Sequence, residues 1–577
     1  MTLPIRLGLC VLSAALMVLS VPRFDLWPLM WIGLLPALPV ALEARTPRQA
    51  FLLGWFLGVV ANTAAFYWMK GLLERFGHMP SLEAIPIMML LTTYQGLEFG
   101  LWTWGVHRVA RRRPGLAMTW VAPLVMVAIE LLVPQIFPFY LAISQAFVPT
   151  VIQIADLTGP MGVSFLVVMA SGALFEAGRD VAALRRPRPA GEAGVPEPAA
   201  PRVDWAAYTR AAGRRLRVPA AIVALVLGYG LLRLHQIDAR RAEAPKARVG
   251  VVQANVGISE KWDPNERSHL LRLHQDLSDA LSRDGADLIV WPESSYPYAV
   301  DRDLAQDFPP GDPRRIRGGS STPTLFGAVT LAPEPRQGRL RYPFNTALML
   351  DESGRITGKY DKVFLLLFGE YIPFYDSIPW FTNLFPEASN FNRGERPGSF
   401  PFRLRGHDYR LGPLICYEDI LPGFTRRAAD LDPNLLVNIT NDAWFGKTWE
   451  PYQHLALAVF RSVEHRLEMV RSVNTGVSAH IDAGGRVREI LPSVDPADEP
   501  PPAPQKMIVE AALLERGGLY GQVGDLFAWG CLATLAGLVA GRPARWRRRA
   551  PNARRAPRSP VEATARPRKR SARKRAR

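Results

Sequence analysis

Apolar residues are distributed unevenly along the 577 residues of the chain. Within residues 1–178, and again near residue 530, they form runs close to the ~20 residues that cross a bilayer as a helix. We predict eight membrane spans, at about 6–21, 26–42, 50–68, 83–107, 117–133, 157–177, 218–234 and 525–541. Residues 1–236 should therefore form a seven-span α-helical bundle, and residues 525–541 should add an eighth transmembrane helix.

Between the last two spans, residues 245–515 have the pattern of a globular domain. Short β-branched or apolar runs alternate with turn residues, which indicates strands. The predicted strands are RVGVVQANV, ADLIVWPES, PTLFGAVTL, FNTALMLD, RITGKYDKV, YRLGPLICYED and LLVNITNDAW. Helical patterns occur at 264–283 and 451–468. The alternation predicts a layered α/β domain whose chemistry lies at the carboxyl ends of its strands.

Three further apolar segments do not fit either pattern. Residues 134–156 are interrupted by Pro134, Pro138 and Pro149, which favours a re-entrant or interfacial segment over a span. Residues 374–391 and 443–452 are dense in aromatic side chains, as expected for contact with membrane or ligand. We predict that both are lids that enter the outer leaflet over Cys416, with Trp444 and Phe445 near the entry. The alternative is that they pack on the spans and dock the domain.

The loops between predicted spans differ in their content of basic residues. Arginines occur at 45, 48, 108 and 111–113, nine lie between Arg179 and Arg217, and more follow residue 541, whereas 134–156 has no Lys or Arg. Because basic loops stay in the cytoplasm, the pattern places residues 245–515 on the outer, periplasmic face of the inner membrane. The segment 185–216, rich in Arg and Pro, is predicted to be a flexible cytoplasmic connection.

The net charge of +17 does not indicate a nucleic-acid-binding protein. The tail 542–577 contains 16 Lys and Arg and one acid, Glu562, and so accounts for +15 of that charge. A terminal run of this kind is typical of a disordered tail that contacts anionic lipid. We therefore expect the lipid bilayer as a partner, and no nucleic acid.

Cysteine and histidine are sparse. Only Cys10, Cys416 and Cys531 are present, which excludes a disulfide framework. The nine histidines show no paired ligand spacing, and there is no phosphate-binding glycine loop. We expect neither a metal ion nor a cofactor.

Three predicted strands end in residues that could react. They are Glu293 after LIVW-Pro, Lys362 after KYD and Cys416 after LI. Each has a simpler interpretation on its own, since a cysteine after two aliphatic residues is commonly a small buried hydrophobe. Glu293 and Lys362 could likewise be ordinary surface charges.

The order of the short motifs changes that interpretation. WPES, GKYDK followed by FGEY, and CYED occur in this order within one domain, which resembles the nitrilase superfamily. With the spans and NDAWFG included, nearly the whole chain resembles the apolipoprotein N-acyltransferase family, the membrane-bound branch. The resemblance implies a nitrilase-like αββα sandwich with Glu293, Lys362 and Cys416 as catalytic residues.

The resemblance also implies the reaction. Cys416 would take a fatty acyl group from a membrane phospholipid and pass it, by way of a thioester, to the N-terminal α-amino group of diacylglyceryl-cysteine on an apolipoprotein. The enzyme is expected to be a monomer. Substrate-binding or supporting roles are implied for Trp262, Asn345, Glu370, Tyr417, Glu418, Trp444 and Phe445, with Glu370 and Glu418 as partners of Lys362.

Two other functions are compatible with parts of the sequence. A membrane-anchored carbon-nitrogen hydrolase would use the same three residues with water, but a small soluble substrate needs one anchor and not eight spans. A non-catalytic scaffold of the same fold would not be expected to keep all three reactive residues.

Overall fold

A computed structural model describes most of the chain. The described residues are 1–75, 77–184, 205–332, 343–367, 369–371, 391–499 and 502–540. The predicted segment 374–391, apart from its last residue, and the tail 542–577 lie outside them.

The amino-terminal part of the chain is helical. Its helices are α1 Leu3–Ser20, α2 Met30–Gly33, α3 Ala37–Glu43, α4 Pro47–Ala65, α5 Trp68–Arg75, α6 Ser81–Arg112, α7 Met118–Leu132, α8 Pro149–Ile152, α9 Ala155–Thr158, α10 Pro160–Leu184 and α11 Trp205–Glu243. Helices α4 and α6 pack closely through Gly58 and Gly96, where a Cβ atom on Gly58 would lie 2.3 Å from the carbonyl oxygen of Gly96. Small residues allow such close backbone contact between helices in membranes.

The helices support a membrane protein but not a clear count of eight spans. Among the described residues, α1, α10 and α11 are long and apolar enough to cross a bilayer, and the bent pair α4–α5 makes a fourth if it is one span. Residues 27–43, 118–132 and 526–540 are apolar but shorter. The predicted span 26–42 is interrupted between α2 and α3, where Pro36 precedes the second helix.

The helix α11 corrects one boundary. The flexible connection predicted at 185–216 extends too far, because residues 205–216 form the first turns of α11. That stretch contains many Ala and Arg residues, which are strong helix formers, and no proline before Pro219. Arg215 also anchors it, with its Nε 2.8 Å from Oδ2 of Asp180 on α10. Residues 185–204 lie outside the described part of the chain.

The second part of the chain is an α/β sandwich, as predicted. Its strands are β1 Lys246–Gln253, β2 Leu288–Val290, β3 Val300–Asp301, β4 Thr324–Leu331, β5 Pro343–Leu350, β6 Ile356–Asp361, β7 Phe400–Leu404, β8 His407–Ile415, β9 Leu435–Thr440, β10 Met469–Val473, β11 Ser478–Ile481, β12 Val487–Leu491 and β13 Gln505–Ala512. One sheet has the order β13-β1-β2-β4-β5-β6 with β3 beside β4, and the other has the order β12-β11-β10-β9-β8-β7.

Helices cover the outer faces of the two sheets. They are α12 Ile258–Trp262, α13 Arg267–Arg283, α14 Pro422–Ala429 and α15 Glu450–His465, and α16 Tyr520–Val523 and α17 Leu526–Ala540 follow the domain. Leu271 and Leu281 of α13 pack on the first sheet, whereas Leu455 and Phe460 of α15 join the core of the second. The order of layers is helix, sheet, sheet, helix, the αββα arrangement that the family resemblance implied.

Helix α15 also joins the domain to the helical bundle. It contacts α9, and Arg466 at its carboxyl end lies 2.6 Å from Oδ2 of Asp156. The same carboxylate accepts hydrogen bonds from Tyr229 and Arg233 of α11. The segment 134–156 supplies this contact and forms only short helical turns, as a re-entrant or interfacial segment would.

Candidate active site

The three reactive residues predicted from the sequence follow three strands of the two facing sheets. Glu293 follows β2, Lys362 follows β6 at the edge of the same sheet, and Cys416 follows β8 of the other sheet. Ser472 of β10 ties the sheets together, since its Oγ lies 2.9 Å from the carbonyl oxygen of Val252 and 3.0 Å from that of Val290. The carboxyl ends of β2 and β8 are thereby held on facing sheets.

Lys362 lies between two carboxylates. Its Nζ is 3.1 Å from Oε1 of Glu293 and 2.7 Å from Oε2 of Glu370, and its side chain is 1% exposed. Burial alone would lower the pKa of Lys362, but Glu293 and Glu370 outweigh it and raise the pKa well above its ordinary value. Lys362 is therefore a fixed positive charge in the site, and the prediction that Glu370 is its partner is confirmed.

Asn345 joins the same two carboxylates by hydrogen bonds. Its Nδ2 donates to Oε1 of Glu293 at 2.7 Å and to Oε1 of Glu370 at 2.8 Å. Its backbone carbonyl accepts from the backbone N–H of Lys362 at 2.8 Å. Asn345 therefore fixes the positions of the proposed base and of the lysine, so it does more than end a strand.

Cys416 occupies a sharp turn between β8 and a 3₁₀ helix that spans Cys416–Ile420. Its φ of +50° lies in the left-handed region that a residue with a side chain rarely adopts. The Nδ2 group of Asn438 on β9 donates to the carbonyl oxygen of Cys416 at 3.3 Å and so helps to hold this conformation. A strained turn at a reactive residue is a frequent feature of active sites.

Glu418 holds the backbone on both sides of the site. Its carboxylate accepts hydrogen bonds from Tyr360 Oη, from the N–H groups of Val363 and Phe364, and from the N–H of Ile415. Among the described residues no hydrogen bond or ion pair joins Glu418 to Lys362, and the charge of Lys362 acts on the Glu418 carboxyl group only through space. Its four donors fix the residues after Lys362 and before Cys416 instead.

The Cys416 thiol is protonated at rest. Burial and then the charge of Glu293 raise the pKa of Cys416 well above its ordinary value, and Lys362 opposes them. Because only the thiolate is a strong nucleophile, attack requires a base that removes the proton at the moment of reaction. Among the charged groups that act on this thiol, Glu293 is the carboxylate with the largest effect.

A largely apolar cleft lies beside Cys416. From the helical bundle it is lined by Phe66, Trp68, Phe137, Pro138 and Phe139, and from the sandwich mainly by Tyr417, Ile420, Phe445 and Leu457. Tyr417 is fixed across this boundary, because its Oη donates to the carbonyl oxygen of Ile136 at 2.7 Å. The two parts of the chain therefore build the cleft together.

The aromatic segment 443–452 packs on the helical bundle. Phe445 is 5% exposed and its ring centroid lies 5.1 Å from that of Trp68. Trp444 is half-buried in the same cluster. These contacts match the docking interpretation of this segment, and Phe445 at the same time lines the cleft beside Cys416.

Trp262 is the one family-matched aromatic residue that is well exposed, at 50%. It ends α12, next to Lys261, whose Nζ donates to the backbone carbonyl of Glu293 at 3.0 Å. Ordinary core packing does not account for Trp262. Its place beside the Glu293 loop is compatible with contact to a substrate.

Sequence reasoning did not identify a polar cluster at one end of the cleft. Glu450 and His454 line the cleft, and Asp419 and Asp442 lie next to His454. Acidic and histidine side chains of Asp442, Glu450 and His454 are close enough together to hold a cation. The signals in the sequence were the spacing of Glu450 and His454 by one helical turn and the Asp after strand β9.

The chain is similar to known proteins over almost its whole length. Residues 13–173 match the family model for the apolipoprotein N-acyltransferase N-terminal domain, and residues 248–493 match the carbon-nitrogen hydrolase model. An apolipoprotein N-acyltransferase of Geobacter metallireducens is 32% identical over 547 residues, which cover 92% of this chain and 94% of that protein. One of Bdellovibrio bacteriovorus is 28% identical, covering 84% of this chain and 85% of that protein. A solved nitrilase-superfamily amidase of Nesterenkonia has 20% identity and a TM-score of 0.31, over 47% of this chain and 93% of its own.

Proposed function

The chain belongs to the apolipoprotein N-acyltransferase family, and on that premise we propose that Cys416 carries the transferred acyl group as a thioester. The protein is a membrane-bound N-acyltransferase that matures lipoproteins. The acyl donor in this proposal is a membrane phospholipid. The acceptor is the α-amino group of the diacylglyceryl-cysteine at the lipoprotein amino terminus.

In the first step the donor ester acylates the thiol. Glu293 accepts the thiol proton, the sulfur attacks the ester carbonyl carbon, and the carbonyl oxygen becomes an oxyanion. Lys362 and the backbone N–H of Tyr417 stabilise that oxyanion, a contribution of about 3 to 4 kcal/mol for one preorganised donor. When the C–O bond breaks, Glu293 returns the proton to the leaving alcohol of the lysophospholipid.

In the second step the lipoprotein amine attacks the thioester. A second oxyanion forms in the same place, and Glu293 accepts a proton from the attacking nitrogen. The C–S bond then breaks, and Glu293 gives that proton to the sulfur. The product is an amide, and the thiol is regenerated. Asn345 and Glu370 keep Lys362 and Glu293 in place through both steps.

The observation that carries this proposal is the cleft at Cys416. A thiol beside a fixed lysine and a carboxylate opens on aromatic and aliphatic side chains from both the bundle and the sandwich. A lipid acyl chain fits such a surface better than the small polar amides of a soluble hydrolase. The alternative acyl acceptor is water, and that reaction would release a free fatty acid.

The topology proposed for the chain follows from its charges. We assign eight spans, in which the three shorter apolar helices and α6 complete the set. Residues 1–236 are the bundle, and 245–515 are the catalytic domain on the periplasmic face of the inner membrane. The basic residues between α6 and α7 and around α11 support this orientation. The enzyme acts as a monomer, since both walls of the cleft come from one chain.

Mass spectrometry of the intact protein after incubation with phospholipid vesicles tests the acyl-enzyme. We expect a mass increase of one acyl group, located on Cys416 and removed by hydroxylamine. Cys416→Ser should abolish the hydroxylamine-sensitive adduct, whereas Cys531→Ser, which changes a buried thiol of α17, should keep it.

Two outcomes would overturn the proposal. Transfer to a diacylglyceryl peptide that continues in Cys416→Ala would exclude the thioester. Release of free fatty acid as the main product in the presence of that peptide would make the protein a hydrolase.

A further inference from the structure

The polar cluster at the end of the cleft contains carboxylate oxygens that lack hydrogen-bond donors. Oδ2 of Asp442 and Oε2 of Glu450 are buried and receive no hydrogen bond from the described residues, and Oδ1 of Asp442 has only an ion-pair contact with His454. Asp442 is 1% exposed and Glu450 is 9% exposed. Unsatisfied buried carboxylate oxygens are costly unless a ligand completes them.

The remaining carboxylate and the two cations of this cluster are already engaged. Asp419 forms an ion pair with Arg471, and its Oδ1 lies 2.8 Å from Nε2 of His454. Nδ1 of His454 lies 3.4 Å from Oδ1 of Asp442 and 4.0 Å from Oε1 of Glu450. Three carboxyl groups therefore face two cationic side chains, and the cluster lacks one positive charge.

Protonation can supply that charge in the free protein. Burial and then Asp442 raise the pKa of Glu450 well above its ordinary value, while His454 opposes them. Burial would lower the pKa of His454, but Asp442, Glu450 and Glu293 outweigh it. A cationic ligand of suitable size would replace the proton on Glu450.

The cluster is close to the reacting atoms. Glu450 and His454 line the same cleft as Cys416, and Asp442 is near enough to contribute to the elevated pKa of the thiol. Most of the other side chains that line this cleft are apolar, among them Phe66 and Leu457. A ligand that fits this surface is an amphiphile with apolar chains and one cationic group.

We propose that Glu450 and Asp442 form the subsite that binds the α-ammonium group of the lipoprotein acceptor beside the acylated Cys416. This inference rests on the proposed function, which supplies the acceptor. The neighbouring aromatic side chains would hold the diacylglyceryl chains of the same substrate. The subsite selects a lipid-modified amine over water, which carries no charge to complete the cluster.

The subsite also prepares the amine for attack. An α-amino group has an ordinary pKa of about 7.7 to 8.0 and arrives largely as ammonium at neutral pH. On binding, the ammonium displaces the proton of Glu450 to solvent and then gives one of its own protons to the Glu450 carboxylate. The free amine attacks the thioester carbon and gives a second proton to Glu293, which passes it to the sulfur as the C–S bond breaks. Glu450 keeps the proton that it accepted and so returns to its state in the free protein.

The two half-reactions of Glu450→Gln test this role separately. In the purified full-length protein, acyl adduct formation from phospholipid vesicles should slow by less than about threefold. Transfer from the preformed adduct to a synthetic peptide with an amino-terminal diacylglyceryl-cysteine should slow about 10- to 100-fold at pH 7, as expected for loss of a charge-assisted hydrogen bond. The defect should shrink at pH 9, where the peptide amine is already unprotonated.

Asp442→Asn is the second variant and should show the same pattern. Glu352→Gln is the matched control, because Glu352 is an exposed glutamate of the same domain. A peptide acetylated on its α-amino group should accept no acyl group from any of these proteins.

The outcomes separate the subsite from the proposed function. If the unchanged protein forms no Cys416 adduct, the proposed function fails. If adducts form and both variants transfer to the peptide at the unchanged rate, the subsite is wrong. If both half-reactions slow equally at every pH, these residues have only a structural role and the subsite is wrong. Stoichiometric zinc in the purified protein that is lost in both variants would make the cluster a metal site and overturn the proposal.

Discussion

Cys416 is surrounded by groups that keep its proton in place until a substrate arrives. Burial and Glu293 favour the thiol, and Lys362 favours the thiolate. The balance lies on the side of the thiol, which reacts slowly with oxidants and other electrophiles. The cleft can therefore hold Cys416 as a free cysteine without a disulfide partner.

These opposing charges predict the direction in which two substitutions shift the pH dependence of Cys416 alkylation by iodoacetamide. Glu293→Gln removes a negative charge beside the sulfur, so the pKa of Cys416 should fall and alkylation should begin at a lower pH. Lys362→Gln removes a positive charge and should move the profile to higher pH. Mass spectrometry of the Cys416 peptide at a series of pH values measures both shifts. Shifts in the opposite directions would contradict the arrangement of charges.

Asn345 is expected to matter because it holds two carboxylates at once. Asn345→Leu keeps the approximate volume but removes both hydrogen bonds, which leaves Glu293 and Glu370 free to move around Lys362. We expect the rate of Cys416 acylation to fall about 10- to 100-fold, as typical for loss of a residue that orients a catalytic group. Asn265→Ala, in an exposed turn of the same domain, is the control and should acylate normally.

The sequence identified the reactive residues but only part of their support. Glu293, Lys362 and Cys416 were recognised because each follows a strand and because their motifs occur in one order. The contacts of Asn345 and Glu418 depend on which strands are neighbours, and single-sequence patterns do not specify strand order. Asn438 and Asp442 escaped notice for the same reason, since LVNITND shows them only as polar residues at the end of a strand.

Helix α15 is the element on which the domain and the bundle meet. Its core-facing side chains pack on the second sheet, its amino-terminal turn carries Glu450 and His454, and Arg466 follows its last residue. Arg466 is fully buried and reaches Asp156 of α9. A shift of the bundle would therefore move α15, and with it Glu450 and His454 in the cleft.

Breaking this buried ion pair should destabilise the protein far more than breaking a surface pair. Asp156→Asn leaves Arg466 buried without its partner, which costs about 3 to 5 kcal/mol. The matched control is Asp238→Asn on α11, which removes a half-exposed pair with Arg486 and should cost at most about 1 kcal/mol. Denaturant unfolding of both variants in detergent measures the difference, and equal losses would contradict the structural role of Asp156.

Elements with a strong periodic pattern were predicted well. All seven strands proposed from the sequence are present. The predicted helix 264–283 begins three residues before α13 and ends at the same residue, and the predicted helix 451–468 begins one residue after α15 and ends three residues beyond it. The bundle was harder, because an apolar run gives the composition of a span but not whether the helix breaks within it. The bend of 57° between α4 and α5 illustrates this, since Phe66 and Tyr67 at the break are as apolar as their neighbours.

At the scale of the whole molecule, the charges on the loops predict which face of the membrane carries the cleft. A cysteine at the exposed position 353 of the sandwich should react with a membrane-impermeant maleimide added to intact spheroplasts. A cysteine at the exposed position 115, in the basic loop between α6 and α7, should react only after the membrane is permeabilised. Both substitutions are made in the Cys416→Ser background, and the reverse pattern of labelling would contradict the proposed orientation.

The shared walls of the cleft have a consequence for biogenesis. Trp68 Nε1 donates to Gln453 Oε1 across 385 residues of sequence, so the bundle is synthesised long before the side chains that complete it. During that interval Phe137 lacks its contact with Tyr417, and Cys416 has not yet been made. The cleft is complete only after residues 416–457 have been synthesised and folded. An acyl-enzyme can therefore form only after the whole chain has folded, and a partly synthesised chain does not react with the lipids around it.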